Sequence, residues 1–365
     1  MKKVILYALV LMVIINNTVY ALPSINAESA ILVDAESMRV LFEYNSYTKL
    51  PMASTTKIMT ALIALEKGNI NDMVRVDRDA VGIEGSSIYL YEDEIISLED
   101  LLYGLMLRSG NDAAMAIGKH IAGDIENFVK LMNEKAEEIG ANNTNFTNPH
   151  GLHDDNHYTT AYDLALITSR AMEVEKFKEI SKTKSWIANR EKNNIFYNKN
   201  KTLWEYEGGD GVKTGYTTKA GRCLVASATR NGMKLIAVVL NDYNWFNDCY
   251  VLMDYGFNNY KPYVILERGQ FIKKIPVIYG NKGEVNAVID ETFMYPLKKE
   301  ELNKIKIDYI VKENIIAPIN KGDILGYVNI YLDGILIYKG SIVADKDIKE
   351  LNTIKKIIEK IKSKF

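Results

Sequence analysis

The sequence predicts an α+β fold: an antiparallel sheet flanked by helices, then a small all-β domain and a C-terminal amphipathic helix. Three observations carry this expectation. Up to about residue 260, β-rich runs lie at both ends with a helical middle between them, an order unlike alternating βαβ units. From about Lys261, short β-rich runs recur between turn signals. Residues 346–365 then carry apolar side chains at helical spacing.

At the start, Lys2 and Lys3 precede an apolar run, Val4 to Ile15, that is too short to span a bilayer comfortably. Small-residue cleavage options follow at Val19-Tyr20-Ala21 or just after Ala27. Residues 1–27 therefore read as a secretory signal, and the mature chain is expected outside the cytoplasm, in the cell-wall space. Ala30 to Asp34 and Arg39 to Tyr44 read as a hairpin. Pro51 precedes a helix-forming run, Ala53 to Lys67, that Gly68 stops. Ser97 is an N-cap with Glu99 and Asp100 in the first turn of a helix running to Arg108. Helices are expected over Asn111 to Ala122, Ile125 to Ile139 (ended by Gly140) and Thr160 to Met172.

Strands return at Cys223 to Ala228 and Lys234 to Leu240, joined by Asn231-Gly232, a strong hairpin signal. Turn signals at Asn281-Lys282-Gly283, Lys321-Gly322-Asp323 and Asp333-Gly334 divide residues 261–345 into a separate β domain. The expected units are thus 1–27, 28–260, 261–345 and a tail, 346–365. From Asp347 the tail places Ile348, Leu351, Ile354, Ile357, Ile358, Ile361 and Phe365 on one stripe, with five lysines near its end. A basic amphipathic helix suits peripheral contact with an anionic membrane, or packs on its own domain.

A formal net charge of -2 and a pI near 6.2 give no reason to expect a nucleic-acid partner. Cys223 and Cys249 both lie near apolar stretches and read as two buried free thiols.

Three short motifs carry the chemistry. Ser-x-x-Lys occurs at Ser46/Lys49, Ser54/Lys57 and Ser181/Lys184, and only Ser54/Lys57 opens a convincing helix. At i, i+3 the hydroxyl and amine share one face, and a helix start offers free N–H groups to an oxyanion. Lys57 can take the Ser54 proton only when neutral, which burial and a second cation such as Lys213 would favour. Ser109-Gly110-Asn111 falls at a helix break, where Ser109 can relay a proton and Asn111 can hold a substrate amide. Lys213-Thr214-Gly215 offers a cation and a hydroxyl for a carboxylate, and a glycine that lets substrate approach the strand. His150, His153 and His157 sit in a turn-rich segment, so no metal or other cofactor is expected. Tyr243, Trp245 and Phe246 read as core or cleft rim, with core favoured.

Ser-x-x-Lys, Ser-Gly-Asn and Lys-Thr-Gly in this order resemble the penicillin-binding proteins and serine β-lactamases. The surroundings extend the likeness to Pro51-Met52-Ala53-Ser54-Thr55-Thr56-Lys57, Arg108-Ser109-Gly110-Asn111-Asp112, Asn148-Pro149-His150-Gly151-Leu152 and Gly211-Val212-Lys213-Thr214-Gly215-Tyr216-Thr217. The chain resembles the low-molecular-weight penicillin-binding proteins, serine-type D-alanyl-D-alanine carboxypeptidases. That resemblance implies Ser54 as acylated nucleophile, Lys57 as base, and Ser109 and Asn111 as the second wall. It further implies Lys213, Thr214 and Gly215 at the terminal carboxylate, and the backbone N–H groups of Ser54 and Tyr216 as oxyanion hole. The substrates implied are peptidoglycan stem peptides ending in D-Ala-D-Ala, with β-lactams as covalent inhibitors. Two other readings are a β-lactamase, whose deacylating Glu would come from Glu173, Glu175 or Glu179, and an inactive wall-binding scaffold.

Overall fold

The computed structural model describes residues 22–354. The expected signal segment up to residue 21 and the tail from residue 355 lie outside the described residues.

The order along the chain is β1 (Ser29–Asp34), β2 (Val40–Tyr44), a 3-10 turn (Ala53–Thr56), α1 (Lys57–Lys67), β3 (Met73–Arg75), β4 (Ile95–Ser97), α2 (Leu98–Tyr103) and a π turn (Gly104–Arg108). Next come α3 (Asn111–Ala122), α4 (Ile125–Ile139), α5 (Ala161–Ala171), α6 (Glu175–Lys182), β5 (Ser185–Ile187), β6 (Ile195–Tyr197) and α7 (Thr202–Glu205). Then follow β7 (Gly209–Thr217), β8 (Gly221–Arg230), β9 (Met233–Leu240) and α8 (Trp245–Asn259).

The main sheet has the order β2-β1-β9-β8-β7, and every neighbouring pair is antiparallel. Alternation explains why these strands are apolar throughout. Ile31 and Val33 face one core with α1 to α5, whereas Ala30 and Leu32 face a second core under α8. Both faces are covered, so few polar positions remain. Asn231-Gly232 makes the β8–β9 turn, with both residues at positive φ as such a hairpin requires.

The helical middle follows its caps. The Ser97 side chain accepts from Asp100 N, Asp124 from Asn127 N and Thr160 from Asp163 N, while Gly140 closes α4 in the left-handed region. Two expected helices are corrected. The run from Ala53 begins as a 3-10 turn and becomes α-helix only at Lys57, because Ala53 is held at φ 48°. The run to Arg108 leaves α geometry at Gly104, where a π turn aims Ser109 into the left-handed region. α6 and α8 were not anticipated. Tyr243 is not core but 72% exposed, while Trp245 and Phe246 pack beside the second core.

The β domain holds β10 (Lys261–Leu266), β11 (Phe271–Ile278), β12 (Glu284–Ile289), β13 (Phe293–Leu297), β14 (Ile305–Val311), β15 (Ile315–Ile316), β16 (Ile324–Leu332) and β17 (Ile335–Ala344). Its six-stranded sheet runs β14-β16-β17-β12-β11-β15 beside the β10–β13 pair, over a core of its own. Arg39 ties the two regions: its guanidinium donates to Glu301 at 2.6 Å and lies over the rings of Tyr260 and Tyr295.

The tail does not start as a helix. Ile348 pairs with Ile319 and Glu350 with Gly280 in isolated bridges, and Ile348 is buried in the β-domain core. That burial competes with helix formation at Asp347. The remainder of the expected stripe, from Ile357, lies outside the described residues.

Candidate active site

Ser54 sits on the 3-10 turn that feeds α1. The backbone reaches it through Ala53 at φ 48°, a strained conformation for a residue with a Cβ. What holds this turn is the Pro149–Gly151 segment. Gly151 has φ 87°, and a Cβ there would lie 1.9 Å from Ala53 O, so only glycine permits the approach. The approach delivers two carbonyls to α1: Pro149 O accepts from Thr60 Oγ1 at 2.6 Å, and His150 O accepts from Lys57 Nζ at 2.6 Å.

Lys57 is fully buried, and its Nζ lies within hydrogen-bond distance of three oxygens: Ser54 Oγ at 3.0 Å, Asn111 Oδ1 at 2.7 Å and His150 O at 2.6 Å. Burial, and then the nearby Lys213 ammonium, hold Lys57 well below the ordinary lysine range. A neutral amine in hydrogen-bond contact with a serine hydroxyl can accept that hydroxyl's proton.

Ser109 and Asn111 flank the break between the π turn and α3. Ser109 is held at φ 64° and is almost buried, and its hydroxyl makes no hydrogen bond among the described residues. Asn111 serves the base as well. Its Oδ1 accepts from Lys57 Nζ and its Nδ2 donates to Glu84 O, contacts that orient the amine.

The third motif lies on β7, the edge strand of the main sheet, with Lys213 opposite Val225 and Tyr216 opposite Arg222. Gly215 brings that strand onto the nucleophile: a Cβ would lie 3.0 Å from Ser54 N and 3.1 Å from Met52 O. Lys213 is buried and donates to Thr214 O at 3.0 Å. Burial, then Lys199, push it down to about 7. Tyr216 is exposed, beside an open cavity it lines with Gly221, Arg222, Asn241 and Tyr243. Ser54, Lys57, Ser109, Asn111, Lys213, Thr214, Gly215 and Tyr216 thus lie on elements that pack together around the Ser54 turn.

The decoy pairs lie elsewhere. Ser46 Oγ donates to Glu43, and Ser181 Oγ donates to Asp210 O behind the start of β7. The histidines serve structure. His157 Nδ1 accepts from Thr147 N at 3.0 Å, which puts the proton on Nε2, 2.7 Å from Thr56 Oγ1. Burial drives His157 down to about 4 and His150 to about 3, so both are neutral. Glu173, Glu175 and Glu179 pair with Arg170, Lys178 and Lys176 respectively and do not reach Ser54. Cys223 and Cys249 are free and buried, as the apolar flanks indicated.

Reading the motifs missed Lys199, a solvent-exposed lysine whose charge acts on both Lys57 and Lys213. It also missed Asp112, whose buried carboxylate accepts from Ser87 Oγ and from the Ile88 and Leu90 N–H groups. Only a lone lysine and one acid beside Asn111 mark these positions, signals too common to single out.

Residues 16–244 match the family described as D-alanyl-D-alanine carboxypeptidase, peptidase S11. The chain belongs to this family. Residues 260–350 of this S11 chain match the penicillin-binding protein 5 C-terminal domain. It is 36% identical to D-alanyl-D-alanine carboxypeptidase DacF of Bacillus subtilis, across 90% of this chain and 87% of that protein. It is 33% identical to DacC of Escherichia coli, across 94% and 89%. The structure of penicillin binding protein 5 from Haemophilus influenzae superposes with a TM-score of 0.76 at 33% identity, covering 90% of this chain and 99% of that one. S11 enzymes are serine hydrolases, and this chain is one of them.

Proposed function

We propose that this chain removes the terminal D-Ala from peptidoglycan pentapeptide stems through an acyl-enzyme on Ser54. The observation that carries this reading is the Lys57 amine: buried, held below its ordinary range, and 3.0 Å from Ser54 Oγ. The Ser54 proton passes to Lys57 Nζ as Oγ bonds the carbonyl carbon between the two D-Ala residues. The oxyanion forms between the backbone N–H groups of Ser54 and Tyr216. The proton then returns through Ser109 to the leaving nitrogen, the C–N bond breaks, and D-Ala departs. Water hydrolyses the ester and regenerates the serine. A β-lactam carbonyl enters the same path and leaves a persistent adduct.

Edge strand β7 supports the binding mode, since its open side can pair with an extended peptide. Lys213 and Thr214 receive the terminal carboxylate, and no cofactor takes part. Residues 28–260 form the catalytic unit and 261–345 an appended β domain. Export rests on the residue 1–27 signal, and of the two cleavage points the earlier keeps the Asn26 amide bonded to Asp248 at 3.2 Å. Peripheral membrane contact rests on the lysine-rich tail.

The test is intact-protein mass spectrometry with and without penicillin, paired with D-Ala release from a diacyl-D-Ala-D-Ala peptide. One adduct per chain that Ser54→Ala abolishes, together with D-Ala release, is expected. Labelling that survives Ser54→Ala refutes the reading, and rapid penicillin turnover transfers it to a β-lactamase.

A further inference from the structure

Asn111 owes its orientation to a segment that no motif marks. Its backbone N–H donates to Ser86 O at 2.7 Å and its Nδ2 to Glu84 O, while a Cβ on Gly85 would press within 2.9 Å of that Nδ2. This segment is gripped from two sides by buried charges. Asp112 takes the N–H groups of Ile88 and Leu90, each at 3.1 Å. From the other side, Arg190 takes the carbonyls of Ile88 at 2.7 Å and Tyr89 at 3.0 Å.

Arg190 lies in the β5–β6 hairpin and pairs with Glu94 through two contacts, Nε to Oε1 at 2.6 Å and an Nη to Oε2 at 3.0 Å. Both side chains are 4% exposed. The hairpin itself is docked: Trp186 stacks on Tyr103 at 3.7 Å and donates to Asp100 at 2.6 Å. A buried ion pair is a poor device for stability, because desolvating two charges offsets most of their attraction. A planar five-donor fork that fixes one carboxylate and two carbonyls is a good device for geometry.

We infer that Arg190, locked by Glu94, is a positioning residue for the Ser54–Lys57 pair, acting through residues 84–90 and Asn111. It touches neither substrate nor the reacting atoms. The inference rests on Lys57 being the base, as proposed above. Lys57 faces Ser54, Asn111 and the His150 carbonyl, with Lys213, Lys199 and Asp112 as the charges acting on it. Loosening Asn111 removes one acceptor from Lys57, which disfavours its ammonium and spoils its aim.

The experiment measures the second-order rate of acylation by a fluorescent penicillin from pH 5 to 9 in wild type, Arg190→Lys and Glu94→Gln. Lysine keeps the charge beside Glu94 but cannot span both carbonyls, and Glu94→Gln keeps the shape, so a folded variant is at hand if one of them fails. The expected plateau falls about tenfold or more, since small misplacements at a reacting centre are that costly, and the acid limb moves to lower pH. Folded variants with wild-type plateau and limb overturn the inference, whatever their melting temperature. A lowered plateau with an unmoved limb also overturns it, because the route then bypasses Lys57. If wild type itself takes no penicillin, it is the functional reading that fails.

Discussion

The catalytic region and the β domain are built on opposite terms. Among the described residues, the catalytic region buries Lys57, Lys213, Asp112, Glu94, Asp163 and other charged groups, whereas no charged side chain after Asp248 is buried. The β domain instead buries Leu266, Val285, Val328, Ile330 and Ile342. Burying charge costs free energy unless it is paired or neutralised. A region that does so repeatedly around one serine is maintaining chemistry, and a region that never does so is maintaining shape.

The sharpest way to break this contrast is to remove the nucleophile. Ser54→Ala should lower acylation by about 10⁴-fold or more, read by mass spectrometry, with the circular dichroism spectrum unchanged. Next, Lys213→Ala should lower D-Ala release from a carboxylate-ended peptide about 10²-fold, with a smaller loss on a neutral ester. Equal losses on both would remove Lys213 from carboxylate binding. Its stability effect has the opposite sign. Folded Lys213 titrates near 7, below the unfolded value of 10.5, so the unfolded chain binds the extra proton between those limits. Wild-type stability should therefore gain a component that rises with pH across that window, and Lys213→Ala should remove it in urea titrations at pH 7 and 9.

Gly215→Ala comes third. Its methyl would meet Ser54 N at 3.0 Å and Ala53 Cβ at 3.1 Å, and acylation should drop about tenfold with a small change in melting temperature. The smallest effect on chemistry belongs to the other region. Ile330→Ala in the β domain should cost about 2–5 kcal/mol of that domain's stability and leave the acylation rate within about twofold. A matching loss of acylation would show that the two regions are coupled through Arg39.

Much of this was readable from residues whose role is local. Ser97, Gly140 and Asn231-Gly232 act on their own turns, and the corresponding caps and hairpin appear where expected. The three motifs were readable because each packs several chemical requirements into adjacent positions. What escaped depends on distant partners. The 3-10 start at Ser54 requires Gly151, nearly a hundred residues away in sequence, and Arg190 acquires meaning only beside Glu94 and the carbonyls of Ile88 and Tyr89. α8 went unnoticed because it packs an aromatic-rich face on the sheet without a capping side chain to mark its start. The tail misled for the reverse reason: Ile348 fits a helical stripe, yet a bridge to Ile319 claims it first.

The closeness of β7 to the serine has a practical corollary. Since main chain meets main chain at position 215, evolution and protein engineers alike have no side chain there with which to retune selectivity. Side chains free to vary stand instead on the rim, where Tyr216, Arg222 and Tyr243 are open to solvent.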